Sequence, residues 1–128
     1  MWQWRWWVWG GCLVAWTAAL LYPVVPAIGL ERTEELLTIR AIIAKTVHIS
    51  AYAFLAGLSG WLRARARYRW LLVFVLMAHA TVTELIQWWM EQMSWSSRHG
   101  QLTDVGFDNL GILIGLLATW KWWTQESP

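Results

Sequence analysis

Four apolar stretches dominate this chain, each close to the roughly 20 residues a helix needs to cross a bilayer. They cover residues 6–22, 41–62, 70–90 and 105–123. Backbone polar groups inside hydrocarbon must be satisfied within the segment itself, so such stretches fold as helices. The pattern predicts an all-α fold: a four-span transmembrane helix bundle forming one domain over residues 1–128. Composition points the same way. Hydrophobic residues make up 58% of the chain and charged residues 14%, against about 25% charged in soluble domains. That argues against a disordered chain. A net charge of +2 without a basic stripe argues against a nucleic-acid partner. The single Cys12 cannot close an internal disulfide.

Charge sets the direction of the spans. Arg63, Arg65, Arg67 and Arg69 lie between the second and third, Arg5 precedes the first, and Lys121 ends the fourth. The positive-inside rule places all of these, and both termini, in the cytoplasm of a multi-pass bacterial inner-membrane protein. Seven of the eight acidic residues then fall in the outer half or outer loops, leaving Glu126 inside. Trp2, Trp4, Trp6, Trp7, Trp9, Trp61, Trp70, Trp120, Trp122 and Trp123 are expected as an inner aromatic belt. Trp88, Trp89 and Trp95 mark the outer interface. Between the first two spans, Glu34, Glu35, Leu36, Leu37 and Arg40 suit an amphipathic outer turn, with Thr33 at its start. A rival reading makes the first span a signal peptide cleaved at Val25-Pro26-Ala27, but one Arg and three Trp make a poor n-region.

Ionisable side chains inside the spans cost at least about 2.5–3.5 kcal/mol each near mid-bilayer and so require a reason. Their spacing is regular. Lys45, His48 and Tyr52 follow steps of three and four, as do Glu84, Gln87 and Glu91. Asp104, Asp108, Gly111 and Gly115 continue the pattern in the fourth span. Each set shares one helical face. A rise of 1.5 Å per residue puts His48 and Glu84 roughly 21 Å above the inner ends of their helices, and Asp108 roughly 18 Å. Three polar faces at one depth predict a shared cavity open to the outside, with Lys45 neutralising Glu84 or Asp104. Gly111 and Gly115 form a small-xxx-small motif that lets another helix approach the Asp108 face. His79 reads as a hydrogen-bonded structural histidine, His99 as an exposed loop residue, and Ser94, Ser96 and Ser97 as loop and capping residues. Arg98 stands at the cavity mouth, where its fork can hold a carboxylate or phosphate.

Taken in order, these residues resemble the VanZ-like family of small membrane proteins. That family's pattern runs Asp-Lys-x-x-His-x-x-x-Tyr, then Glu-x-x-Gln, a loop Arg, and Asp-x-x-x-Asn-x-x-Gly-x-x-x-Gly. Lys45, His48 and Tyr52 match the first block, with Ala44 in place of its acid. Glu84 and Gln87 match the second, and Arg98 the loop. Asp104, Gly111 and Gly115 match the last block, with Asp108 where Asn is usual. The resemblance covers about residues 40–118. It implies an envelope membrane protein, in a family whose namesake is associated with teicoplanin resistance.

The expected function is an outward-facing polar cavity that binds or acts on a lipid-linked or cell-wall substrate. His48, Glu84 and Asp108 are the acid–base candidates. Lys45, Tyr52, Gln87, Arg98 and Asp104 are the substrate-binding candidates. His48, Glu84, Asp104 and Asp108 could also form a mixed N/O site for Zn²⁺ or Mn²⁺. The chain lacks His-x-x-x-His or paired-Cys spacing, and Lys45 beside the acids would neutralise them, so no metal or cofactor is expected. The bilayer is the expected partner, and a homo-oligomer is open. The alternatives are a non-enzymatic assembly or binding subunit, and a small-solute transporter, which with four spans would have to oligomerise.

Overall fold

The computed structural model describes residues 3–22, 34–94 and 101–125. These form five helices: α1 (Gln3–Leu21), α2 (Glu34–Trp61), α3 (Ala66–Gln92), α4 (Leu102–Ala118) and the short α5 (Trp120–Thr124). No strand occurs among the described residues. By length and composition, the helical segments Glu34–Trp61 and Arg67–Gln92 can cross a membrane.

The helix boundaries correct the sequence reading in two places. The amphipathic turn expected before the second span is continuous with it, so α2 runs unbroken for 28 residues. Glu34 and Glu35 occupy its first turn, where their charge favours the positive end of the helix dipole. Thr33 lies outside the described residues. The fourth span, expected to reach residue 123, instead breaks at Thr119 (φ −112°, ψ 22°). The Thr119 hydroxyl donates to the Gly115 carbonyl at 2.6 Å and accepts from Trp123 Nε1 at 3.2 Å. Thr17, Thr46 and Thr83 make the same bond to the carbonyl four residues back inside unbroken helices, so what distinguishes Thr119 is its contact with Trp123 of the next turn.

Helix α2 is the hub, touching each of the other four helices, and it packs most extensively on α4. The reason is the absence of side chains. A Cβ on Gly111 would meet the Ile49 backbone, with Cα at 3.0 Å, and one on Gly115 would meet the Ala53 carbonyl and, at 2.8 Å, Ala56 Cβ. The α4 backbone therefore lies directly on α2, as small-xxx-small interfaces allow. The buried apolar core sits on the side of the bundle nearer the α2–α3 turn. It joins Leu55 and Ala56 of α2 and Leu62 just after it to Leu72, Leu76 and Ala80 of α3, Ile112 of α4 and Trp9 of α1.

Two expected belt tryptophans are structural instead. Trp9 is buried and donates from Nε1 to Ser59 Oγ at 2.8 Å, and Trp123 is buried against Gly60. An indole N–H with a partner inside the bundle has no need of the headgroup region. Trp4, Trp6, Trp7, Trp70, Trp120 and Trp122 remain exposed, as do Trp88 and Trp89 near the opposite end. Trp4 packs edge-on against Trp61 at 5.0 Å, and the Arg5 guanidinium lies 4.6 Å from the Trp61 ring. Trp2 and Trp95 lie outside the described residues.

Arg69 holds α5 in place. It is 6% exposed, and its Nε donates to the Ala64 carbonyl at 2.7 Å while its two terminal nitrogens donate to the Trp123 and Gln125 carbonyls. One of the four loop arginines is thus a buried staple between the α2–α3 turn and α5. Hydrogen bonds from charged groups contribute about 1.5–3 kcal/mol each. Arg69→Ala should free α5 while leaving α1–α4 folded. Hydrogen exchange in detergent should show amides 120–124 exchanging at least about tenfold faster, with the centre of α2 unchanged.

Candidate functional site

The residues that position the site follow from antiparallel packing. Moving away from the α2–α3 turn, the core residues Leu55, Ala80 and Ile112 give way to His48 on α2, Glu84 on α3 and Asp108 on α4. Each lies one or two helical turns beyond a core residue of its own helix, on the same inward face. The three sequence faces therefore do meet. His48, Glu84 and Asp108 each offer one ligand-type nitrogen or oxygen, and these atoms all lie within 4.8 Å of one another.

The geometry around the three is specific. His48 Nδ1 and Asp108 Oδ1 are 2.8 Å apart, in hydrogen-bond contact. Asp108 is 0% exposed and Glu84 2%. A carboxylate accepts, so Nδ1 of His48 carries the proton in this pair and Nε2 holds a lone pair in the neutral ring. Glu84 Oε2 accepts from the Gln101 backbone N–H at 3.1 Å, just before α4 begins. The other oxygens, Asp108 Oδ2 and Glu84 Oε1, have no hydrogen-bond partner among the described residues. Trp16 of α1 closes one side, packing edge-on against His48 at 5.7 Å and Tyr52 at 6.2 Å.

The remaining sequence candidates disperse. Lys45 does not neutralise Glu84 or Asp104 in an ion pair; its Nζ lies 4.9 Å from the centre of the Phe107 ring. Phe107 neighbours Asp108 on α4 but faces a different side of the helix, so the ammonium is drawn to an aromatic face outside the cluster. Asp104 is half-buried in the first turn of α4, where its carboxylate complements the helix dipole, and it is not one of the three grouped ligands. Gln87 is buried, and its Nε2 donates to the Leu20 carbonyl at 2.8 Å, tying α3 to the end of α1. Asn109 turns its amide to the Val105 carbonyl of its own helix at 2.8 Å. Ser94 follows α3 with φ 58°, its N–H on the Glu91 carbonyl, as a helix-terminating residue does. Arg98, His99, Ser96 and Ser97 lie outside the described residues.

Tyr52 belongs to a second network. Fully buried, its hydroxyl is 2.9 Å from His79 Nδ1, while His79 Nε2 is 2.7 Å from Thr17 Oγ1. The Thr17 hydroxyl donates to the Leu13 carbonyl at 2.7 Å, so toward His79 it accepts. His79 is then protonated on Nε2 and accepts the Tyr52 proton at Nδ1. Both ring nitrogens of His79 and the hydroxyls of Tyr52 and Thr17 are partnered, which matches the structural role expected for His79. Sequence reasoning missed Thr17 and Trp16. The usable signal was the step pattern Trp9, Leu13, Trp16, Leu20, which places them on or beside the inward face of α1.

One further cavity, about 120 Å³, is lined by Arg69, Trp70, Leu116, Trp120, Trp123 and Thr124 near α5. It is lined mainly by apolar groups, and the Arg69 guanidinium is engaged by backbone carbonyls. The chemistry of the molecule is therefore concentrated at His48, Glu84 and Asp108. No protein-family model, curated protein or solved structure matches the chain.

Proposed function

We propose that this is a VanZ-like membrane protein of the bacterial cell envelope. On this reading it has four spans and cytoplasmic termini, and its polar cavity binds or acts on a lipid-linked or cell-wall substrate at the outer leaflet. The observation that carries the reading is the convergence of three ionisable side chains from three helices inside an otherwise apolar bundle. Groups that are costly to bury in lipid are retained where they bind or transfer protons. The outer faces support the membrane assignment. Val14 of α1, Ile42, Ile43 and Phe54 of α2, Leu71 and Phe74 of α3, and Leu113 and Leu117 of α4 are all exposed. A soluble monomer does not expose apolar surface on this scale.

In this reading His48 is the base, oriented by Asp108 through Nδ1 and free to take a proton at Nε2. Glu84, whose Oε1 has no hydrogen-bond partner among the described residues, is the acid. An anionic headgroup would pair with Lys45, and with Arg98 as its place in the sequence suggests. Expression of the chain in a teicoplanin-susceptible Gram-positive host tests the proposal. Cells producing it should tolerate a higher concentration than vector-only cells and should show altered lipid-linked precursor pools. Equal tolerance together with unchanged pools, with the protein present in the membrane, overturns the substrate assignment.

A further inference from the structure

We infer that His48, Glu84 and Asp108 form a binding site for one divalent transition-metal ion, of the Zn²⁺ or Mn²⁺ class. Three observations point there. The donor atoms of the three side chains lie within 4.8 Å of one another. Both carboxylates are more than nine-tenths buried, yet each keeps one oxygen without a hydrogen-bond partner among the described residues. The ammonium group that would have neutralised them, Lys45, is engaged by Phe107 and makes no ion pair among the described residues.

The electrostatics favour a cation. Two buried carboxylates without a cationic partner are strongly unfavourable in a membrane interior unless protonated or metal-bound. With His48 neutral, a divalent ion brings the cluster to charge balance. One imidazole and two carboxylates form the mixed nitrogen and oxygen set that suits Zn²⁺ or Mn²⁺. Bond lengths of about 2.0–2.2 Å keep any two ligands of one ion within about 4.4 Å. In a tetrahedral site the ligand atoms stand about 3.3–3.6 Å apart, so this one closes with side-chain shifts of about an ångström. Three protein ligands leave a coordination position open, the arrangement of catalytic rather than structural sites. Binding needs the other tautomer of His48: the proton leaves Nδ1, which faces Asp108, and moves to Nε2, so that Nδ1 ligates beside the carboxylate oxygens and the metal-loaded cluster is an alternative to its acid–base state. The sequence offered these residues, with Asp104, as a mixed nitrogen and oxygen set, but no metal was expected from it because the ligands come from three helices, one from each, and show no ligand spacing within a helix.

This site needs no substrate, so its test is independent of the envelope assignment. The full chain, purified in detergent, is loaded with Zn²⁺ or, separately, Mn²⁺, desalted, and its metal content measured by mass spectrometry. Isothermal titration gives the affinity. About one ion per chain is expected, with affinity lower by at least about tenfold in Asp108→Asn and Glu84→Gln, which keep side-chain volume. Glu34→Gln, at the exposed start of α2, should bind as the unaltered chain does. For the unaltered chain alone, the melting temperature should rise with Zn²⁺ or Mn²⁺ and return on chelation, a readout that stands even if a variant does not fold. Absence of retained metal, or equal binding by the folded variants and the unaltered chain, overturns the site. Loss of the teicoplanin effect with metal binding intact would instead count against the substrate assignment.

Discussion

Gly115→Val should prevent the bundle from assembling. The added Cβ lands on the Ala53 carbonyl and 2.8 Å from Ala56 Cβ, and the branch adds two more carbons to the same space. A flexible side chain could move aside, but a helical backbone cannot without shifting all of α2. Overpacking typically costs about 1–3 kcal/mol, and more where backbone must yield. We expect at least about 3 kcal/mol here, a large share of the roughly 5–15 kcal/mol available to a domain. Gly111→Ala should cost about 1–3 kcal/mol through the Ile49 backbone. Gly106→Ala provides the control. Nothing lies within 4 Å of the Cβ it would gain, and helix propensity should make it neutral or stabilising by up to about 1 kcal/mol. Unfolding of the three variants in detergent, followed by far-UV circular dichroism, checks the order. A Gly115→Val chain as stable as the unaltered one would show that α4 does not lie on α2 as described.

The second large effect separates chemistry from architecture. Asp108→Ala alone should destabilise the fold by about 3–5 kcal/mol, because it removes the acceptor of a buried pair and leaves His48 unpartnered. The double variant His48→Leu/Asp108→Leu removes both polar partners and should recover most of that loss, since apolar replacement of a buried pair is often neutral or stabilising. Envelope activity should nevertheless fall to the vector background in the double variant. Stability recovered with activity lost identifies the cluster as functional. Activity retained by a well-folded double variant would reduce the cluster to a device for setting helix register, as an assembly subunit would use it. The pairing itself is checked by a double-mutant cycle over the two single variants and the double.

Much of this architecture was legible in the sequence because helical periodicity is local. Steps of three and four around His48, Glu84 and Asp108 fix a face for each helix whatever the surroundings. Counting the rise per residue was enough to put the three at one height, and the structure brings them together. The glycine pair on α4 likewise announced a close approach. Other details were not local. At Thr119 the helix breaks within an apolar run that hydropathy reads as continuous. Trp9 and Trp123 were read as interfacial because indole prefers that region, yet each found a partner inside the bundle, in Ser59 and Thr119. Arg69 shares its loop with three other arginines, and only the position of α5 distinguishes it as a staple.

Residue order by itself determined the helical class, the inward faces and the common level of the three titratable groups, because each depends on a rotation of about 100° and a rise of 1.5 Å per residue along one chain. Tertiary packing decided the partnerships. The contact of α4 with α2 sets the relative rotation of their faces, and that rotation sends Lys45 to Phe107, leaves two carboxylate oxygens without donors, and gives Tyr52 to His79 rather than to Asp108. Hydrogen bonds and metal bonds depend on separations of a few tenths of an ångström, a scale that helical spacing does not reach and that van der Waals contact between helices does.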